Sequence, residues 1–261
     1  MSEIMLNKAH CLDVIEGFKQ MDDNSVDLIV TSPPYAEQRK LQYGGISEKD
    51  YPLWTVTWME EAKRVLKPNG SVFINIRPHL KEGEISDYTL KMRLALRQSG
   101  WKECEELIWI KPDSPPLGSI QRPRRAWESI HWFSKVHNPY CDPKANGTES
   151  SRIGFENNKF EHGGISHIHA GQNNAKRGIA RSRDYIEVGT GRIEKGIPHP
   201  AMYPIELPDY LIKMCCPEDG VVCDPFVGSG TTLLSAKRLG VKYIGFDING
   251  EYVDLANARI S

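Results

Sequence analysis

The sequence predicts an α/β fold with a mostly parallel sheet, and three observations carry that prediction. Apolar, β-branched runs of strand length recur along the chain, as in Val26-Asp27-Leu28-Ile29-Val30 and Ser71–Ile76. Stretches with helical spacing separate them, so the order reads strand, helix, strand, helix, strand. Two of the runs end in turns built for ligands, Thr31-Ser32-Pro33-Pro34-Tyr35 and Asp224-Pro225-Phe226-Val227-Gly228-Ser229-Gly230-Thr231-Thr232. Open α/β sheets bind ligands at that edge, beyond the carboxyl ends of the strands.

Taken in order, Met5–Cys11 suits a strand and Asp13–Phe18 a short helix, with Asp22-Asp23-Asn24-Ser25 as the turn before the Val26 strand. Residues 36–49 are a polar loop. Residues 51–66 place Trp54, Trp58, Ala62, Val65 and Leu66 on one helical face, and Lys67-Pro68-Asn69-Gly70 supplies a stop. Tyr88–Leu96 reads as a helix closed by Gly100, and Trp101–Ile110 as a strand. From Lys111 to about Gly196 the pattern gives way to prolines, glycines, asparagines and basic residues, which predicts an inserted recognition lobe. The alternative for that stretch is a solvated surface insertion. Further on, a helix is expected from His199 to Tyr210, with Leu207, Leu211 and Met214 on its apolar face. Strands at Gly220–Cys223 and Val241–Phe246 then flank a helix at Leu233–Leu239, and Tyr252–Arg259 closes the chain as a helix.

The length of 261 residues fits one large domain with an insertion. No apolar stretch approaches the roughly 20 residues of a membrane span. The N-terminus lacks the basic and apolar regions of a secretion signal. Cys11, Cys104, Cys141, Cys215, Cys216 and Cys223 are scattered without a Cys-x-x-Cys, which points to reduced thiols in the cytoplasm. The histidines His162, His167 and His169 lack partner cysteines or a carboxylate pair, so no metal is expected. A net charge of −1 excludes a general basic bias and requires any nucleic-acid surface to be local.

At the first turn, two successive prolines end the strand, because neither donates a ladder hydrogen bond and both fix φ. The stiff tip presents a hydroxyl, two carbonyls and a ring. Ser32 and the Pro33 carbonyl could accept both N–H bonds of an exocyclic amine, held by Pro34, while Tyr35 stacks on the heterocycle. The bland reading is an ordinary strand exit.

The second turn has the order strand, glycine turn, helix, strand, acid, with Asp247 placed to hold ribose hydroxyls. There is no lysine for a triphosphate, and Leu233 stands where a dinucleotide fold needs a third glycine. An adenosine ligand without a pyrophosphate is left, and S-adenosylmethionine fits. Its amino-acid end is expected at the turn amides and Thr231 or Thr232, with Asp224 near the ammonium.

Together these two segments resemble the amino-group DNA methyltransferases in their permuted beta arrangement, most of all the N4-cytosine members. His199-Pro200-Ala201-Met202-Tyr203-Pro204 is similar to the segment that touches the cofactor, and Tyr243–Asn249 to the ribose-binding strand, with Asp247 and Ile248. The resemblance implies a Rossmann-like, seven-stranded, mostly parallel sheet with one antiparallel strand. It implies a catalytic half over 1–111, an inserted target-recognition region over 112–197, and a cofactor half over 198–261. The expected cofactor residues are His10, Cys11, His199, Pro200, Ala201, Asp224, Pro225, Phe226, Gly228, Ser229, Gly230, Thr231, Thr232, Asp247 and Ile248. One departure is Ala9-His10-Cys11 where family members often have Gly-Asp-Cys, so His10 replaces a carboxylate expected at the adenine.

The implied activity is methyl transfer from S-adenosylmethionine to a flipped base in double-stranded DNA, with no metal and no covalent intermediate. Ser32 before Pro-Pro-Tyr resembles the N4-cytosine group, and N6-adenine is the alternative. The expected DNA contacts are Arg39, Lys111, Arg122, Arg124, Arg125, Lys176, Arg177, Arg181 and Arg183. A cognate restriction endonuclease is compatible with this reading, as is either a monomer or a homodimer. Rival readings are an RNA or protein methyltransferase, disfavoured because the cofactor motif comes last, and a non-catalytic DNA-binding protein.

Overall fold

Val26–Thr31 (β2) is buried at all six positions, as a run without alternation requires of a strand covered on both faces. The computed structural model describes residues 4–38, 45–115, 121–149, 179–190 and 202–261. It divides into two compact units, residues 1–141 with 184–261, and residues 142–183.

In the first unit the elements follow the chain as Lys8–Cys11 (β1), Val14–Lys19 (α1), β2, Tyr51–Val65 (α2) and Leu66–Ile76 (β3). A small hairpin follows, Leu80–Lys81 (β4) and Glu84–Ile85 (β5), then Tyr88–Gln98 (α3), Lys102–Ile110 (β6), Trp127–Ser134 (β7) and Tyr185–Glu187 (β8). Glu206–Cys215 (α4), Val221–Asp224 (β9), Thr231–Arg238 (α5), Lys242–Asp247 (β10) and Gly250–Ile260 (α6) complete it. The main sheet has eight strands in the order β1-β10-β9-β2-β3-β7-β6-β8. Only β7 runs against its neighbours, β3 and β6. The expected single antiparallel strand is present. The eighth strand is the three-residue β8, parallel to β6 at the edge and too short to leave a sequence pattern.

Because adjacent residues of a strand point to opposite faces, the sheet carries two cores. On one face Leu28, Val30 and Phe73 meet Leu211 of α4, Leu233 of α5 and Ala256 of α6. On the other, Ile29, Val72 and Ile74 meet Phe18 of α1, Trp58 of α2 and Met92 of α3.

Three sequence expectations shift. Residues 112–197 were expected to stand outside the sheet, yet β7 lies within it between β3 and β6, and β8 closes its edge. The smaller unit spans only 142–183, and its described ends pair through a Glu149–Ile179 bridge. Lys67-Pro68-Asn69-Gly70 does not lie between helix and strand, because the chain turns extended at Leu66 directly after α2. It forms a bulge in β3, where Val26 pairs with Leu66 but Leu28 with Ser71. Asp27 opposite the bulge accepts from Lys67 Nζ at 2.8 Å and from the Val221 amide at 2.9 Å, tying three strands together. Finally, α4 begins at Glu206, later than expected, because Pro204 forces the residue before it out of helical geometry. The expected start at His199 lies outside the described residues.

Candidate active site

The two turns stand on neighbouring strands, since β2 pairs with β9 through Leu28–Val222 and Ile29–Cys223. One side chain joins them. Asp224 at the end of β9 is 1% exposed, and its Oδ1 accepts from Thr31 Oγ1 at 2.7 Å and the Phe226 amide at 3.1 Å. Its Oδ2 accepts from Thr232 Oγ1 at 2.7 Å and Tyr203 OH at 3.2 Å. Burial pushes the carboxyl up to about 6, against the pull of these hydrogen bonds, because none of the four donors is a cation. The carboxylate therefore clasps the proline tip to the glycine turn. Each of its oxygens already carries two protein donors.

The glycine turn has the backbone its sequence demands. Gly228 and Gly230 have φ of 49° and 82°, the left-handed region that glycine tolerates best. A Cβ on Gly230 would come within 2.8 Å of Ala256 Cβ, so the close approach of α6 also excludes a side chain. Arg259 of α6 donates to the Ser229 carbonyl at 2.6 Å and bears on the hydroxyls of Ser229 and Thr231. Asp247, 4% exposed at the end of β10, accepts from the Gly228 amide at 3.0 Å and the Asn249 amide at 2.9 Å. The acid expected some twenty residues after the turn thus fixes the turn itself. Ser229 and Thr231 are buried, and the Thr232 hydroxyl points inward to Asp224.

Between the turns lies a cleft of about 110 Å³. Pro34 and Ile46 line it from the first half, Pro225, Phe226, Asp247 and Ile248 from the second, and Leu12, Asp13 and Val14 from the start of α1. Trp54 completes the wall, packed on Phe226 with ring centroids 5.5 Å apart. Read from sequence as a core residue, Trp54 is part of the site. His10 and Cys11 are not among the residues that line the cleft. The His10 ring bonds the Met5 carbonyl, and Cys11 Sγ faces the Ile248 carbonyl. Asp13 lines the cleft near them and caps α1 by accepting from the Ile15 amide at 2.9 Å.

At the tip, Pro33 is buried while Ser32, Pro34 and Tyr35 are half-buried. The Pro34 carbonyl accepts from Tyr51 OH at 2.9 Å. No hydrogen bond reaches the Pro33 carbonyl among the described residues. Tyr35 OH donates to Glu128 Oε2 at 3.0 Å. Burial first, and the Glu128 charge second, push the phenol well above its usual range.

The expected DNA contacts fall into three groups. Lys111 is 8% exposed, bonded to Glu128 and set 4.1 Å from the Trp109 ring centroid, so it cannot reach a phosphate as placed. Its long aliphatic stem and the buried carboxylate explain why a lysine sits inside. Arg125 is half-buried and braces the Pro78 carbonyl at 2.6 Å. Arg122, Arg124, Arg181 and Arg183 are exposed. Arg39, Lys176, Arg177, His199, Pro200 and Ala201 lie outside the described residues, as do His162, His167 and His169. Sequence reasoning missed Glu128, Asn75 and Arg259, and it gave no role to Thr31 and Tyr203, although both stand inside segments it singles out.

Among the described residues one group brings three metal-ligand atoms within 4.8 Å, Glu37, Glu48 and His79, and Lys81 already pairs with both carboxylates. No helix among them is long and apolar enough to cross a membrane.

A doubly covered parallel sheet with these two turns at one cleft is the architecture of an amino-methyltransferase. The model of the N6/N4 methyltransferase family of DNA methylases matches residues 26–258, and the chain belongs to that family. Among its relatives, the type II methyltransferase M.PvuII of Proteus hauseri is 27% identical over 92% of this chain and 80% of its own length. M.BglII of Bacillus subtilis is 27% identical over 98% of this chain and 69% of its own. The solved structure of the PvuII DNA methyltransferase, described as cytosine-N4-specific, superposes with a TM-score of 0.75 at 24% identity, covering 96% of this chain and 85% of that one. A putative DNA modification methylase from Thermus thermophilus, solved with S-adenosyl-L-methionine, gives 0.63 at 23% identity over 97% and 92%.

Proposed function

We propose that this protein transfers a methyl group from S-adenosylmethionine to the exocyclic N4 of cytosine in double-stranded DNA. The observation that carries the reading is the 2.7 Å bond from Thr31 to Asp224, which sets the proline tip and the glycine turn at one cleft. The cleft suits the cofactor. Trp54, Phe226 and Ile248 offer an apolar wall for a purine, and Asp247 a carboxylate for ribose. When bound, S-adenosylmethionine supplies a sulfonium-activated methyl group. The solved Thermus methylase carries that molecule, which supports the assignment.

Ser32 and the Pro33 carbonyl would accept the two N–H bonds of the target amine and turn its lone pair towards the methyl. Tyr35 would stack on the flipped base. The amine displaces sulfur at the methyl carbon and then gives up one proton to water, so positioning carries much of the rate. No protein nucleophile is needed. Serine at the first position of the tip, together with the description of the PvuII enzyme, favours cytosine over the N6 of adenine. Exposed Arg122, Arg124, Arg181 and Arg183 would meet phosphates. The type II names of the relatives support a restriction-modification setting with a cognate endonuclease.

The test is tritiated methyl transfer to duplex DNA, with digestion of the product. N4-methylcytosine is expected, and Ser32→Ala should lose about 10²-fold in turnover. N6-methyladenine alone would move the assignment to adenine. No incorporation by the wild type would end the reading, and equal incorporation by Ser32→Ala would remove that side chain from it.

A further inference from the structure

A buried charge pair stands beside the proline tip, and nothing in methyl transfer as described above uses it. Glu128, the second residue of β7, bonds Lys111 Nζ through Oε1. Its Oε2 accepts from Tyr35 OH and from Asn75 Nδ2, both at 3.0 Å. The side chains of Lys111 and Glu128 are only 10% and 12% exposed. Such a pair costs about as much in desolvation as it returns, and apolar residues of similar volume would serve stability as well. A role in the site accounts for its presence better.

The topology explains how it comes to be there. β7 is the antiparallel strand, so its first residues lie at the edge where β2 and β3 end. Asn75 from β3 and Tyr35 from the turn after β2 reach the same carboxylate oxygen. The bond to Tyr35 grips the phenol at the atom farthest from the backbone, where one contact fixes the direction in which the ring axis points and so where the ring stands. Lys111 bonds the other oxygen of the carboxylate, and the Trp109 face supports the ammonium.

We propose that Glu128 is a positioning residue for methyl transfer, setting the Tyr35 ring against which the target base stacks, with Lys111 as its counter-charge. This rests on the methyl-transfer reading above. Two variants remove the same bond from opposite sides. Glu128→Met takes away the acceptor, and Tyr35→Phe leaves the Glu128–Lys111 pair intact, so one of them remains informative if the other folds poorly.

Each single variant should lose about tenfold in kcat, with KM for S-adenosylmethionine within about twofold of wild type. The double variant should be no slower than the slower single one, because both remove one contact. With 2-aminopurine at the target position, both variants should show a flipped base of altered fluorescence. Wild-type kcat in both variants, or losses that multiply in the double variant, would overturn the positioning role alone. A wild type that transfers no methyl to DNA would overturn the functional reading and this role with it.

Discussion

Two buried carboxylates stand at the same edge of the sheet and are satisfied in opposite ways. Asp224 has only neutral donors, three hydroxyls and an amide, and its carboxyl is pushed up to about 6. Glu128 has a lysine. A group held by neutral donors can lose its charge and keep its neighbours, because hydroxyls donate or accept. A charged pair cannot lose one member without stranding the other. The first arrangement suits a clasp between strands, and the second suits a group that must hold the tip of an aromatic side chain in one place.

The largest expected effect breaks the second arrangement. Lys111→Met leaves Glu128 buried without its counter-charge and should cost about 3 kcal/mol or more in urea unfolding at pH 8. A cost near 0.5 kcal/mol would show that water screens the pair as it would a surface bridge, and the contrast would vanish.

Next comes the pH dependence of the clasp. The folded Asp224 carboxyl titrates near 6 against a reference value of 3.8, so between those values the folded state holds the proton more tightly. That contribution is fully present below about pH 4 and lost as pH rises through about 6, roughly 3 kcal/mol in all. Asp224→Asn does not titrate. The stability gap between wild type and this variant should therefore shift in favour of the variant as pH rises from 4 to 7. Parallel stability curves for the two proteins would mean that Asp224 does not titrate in this window.

Gly230→Ala tests the turn that the clasp holds. At φ 82°, with a new Cβ 2.8 Å from Ala256 Cβ and 2.9 Å from its Cα, it should cost about 1–3 kcal/mol and weaken S-adenosylmethionine binding. Gly240→Ala is its control, since φ is 74° there and no atom lies within 4 Å. It should show backbone strain alone, about 1 kcal/mol. Equal losses at the two positions would leave no steric contribution from Ala256.

What was legible in the sequence follows from how local the physics is. The proline pair stiffens its own tip, and the glycines permit their own turn. The buried strands carry their own apolar runs, so both turns and most of the sheet could be read. Tyr35 and Glu128 are separated by 93 positions and Thr31 and Asp224 by 193, and no local pattern marks either bond. The same applies to Lys111, which as a lone lysine in a basic stretch reads as a phosphate contact until its carboxylate is seen. β7 was hidden because the prolines and arginines before it suggested an insertion, although Trp127–Ser134 is apolar enough for a central strand. At the cleft, Asp13 lines the wall and His10 does not, a placement that only the course of the chain reveals.

The smallest expected effects concern charges that are not buried, and they extend the contrast to the surface. Arg122 and Arg124 are exposed, and each rests a guanidinium nitrogen on a backbone carbonyl, Gly83 for the first and Ser114 for the second. Arg125 beside them is half-buried and holds the Pro78 carbonyl, while Arg77 holds its own carbonyl in turn. If exposure decides which of the three meets DNA, Arg122→Ala and Arg124→Ala should each weaken duplex binding a few-fold at low salt. Each should also reduce the slope of log Kd against log salt by about 0.9 for every phosphate contact removed, with no change in thermal midpoint. Arg125→Ala should do the reverse, lowering the midpoint and leaving the slope alone. A salt slope that moves only in Arg125→Ala would place the DNA on the braced arginine, and exposure would then be a poor guide to this surface.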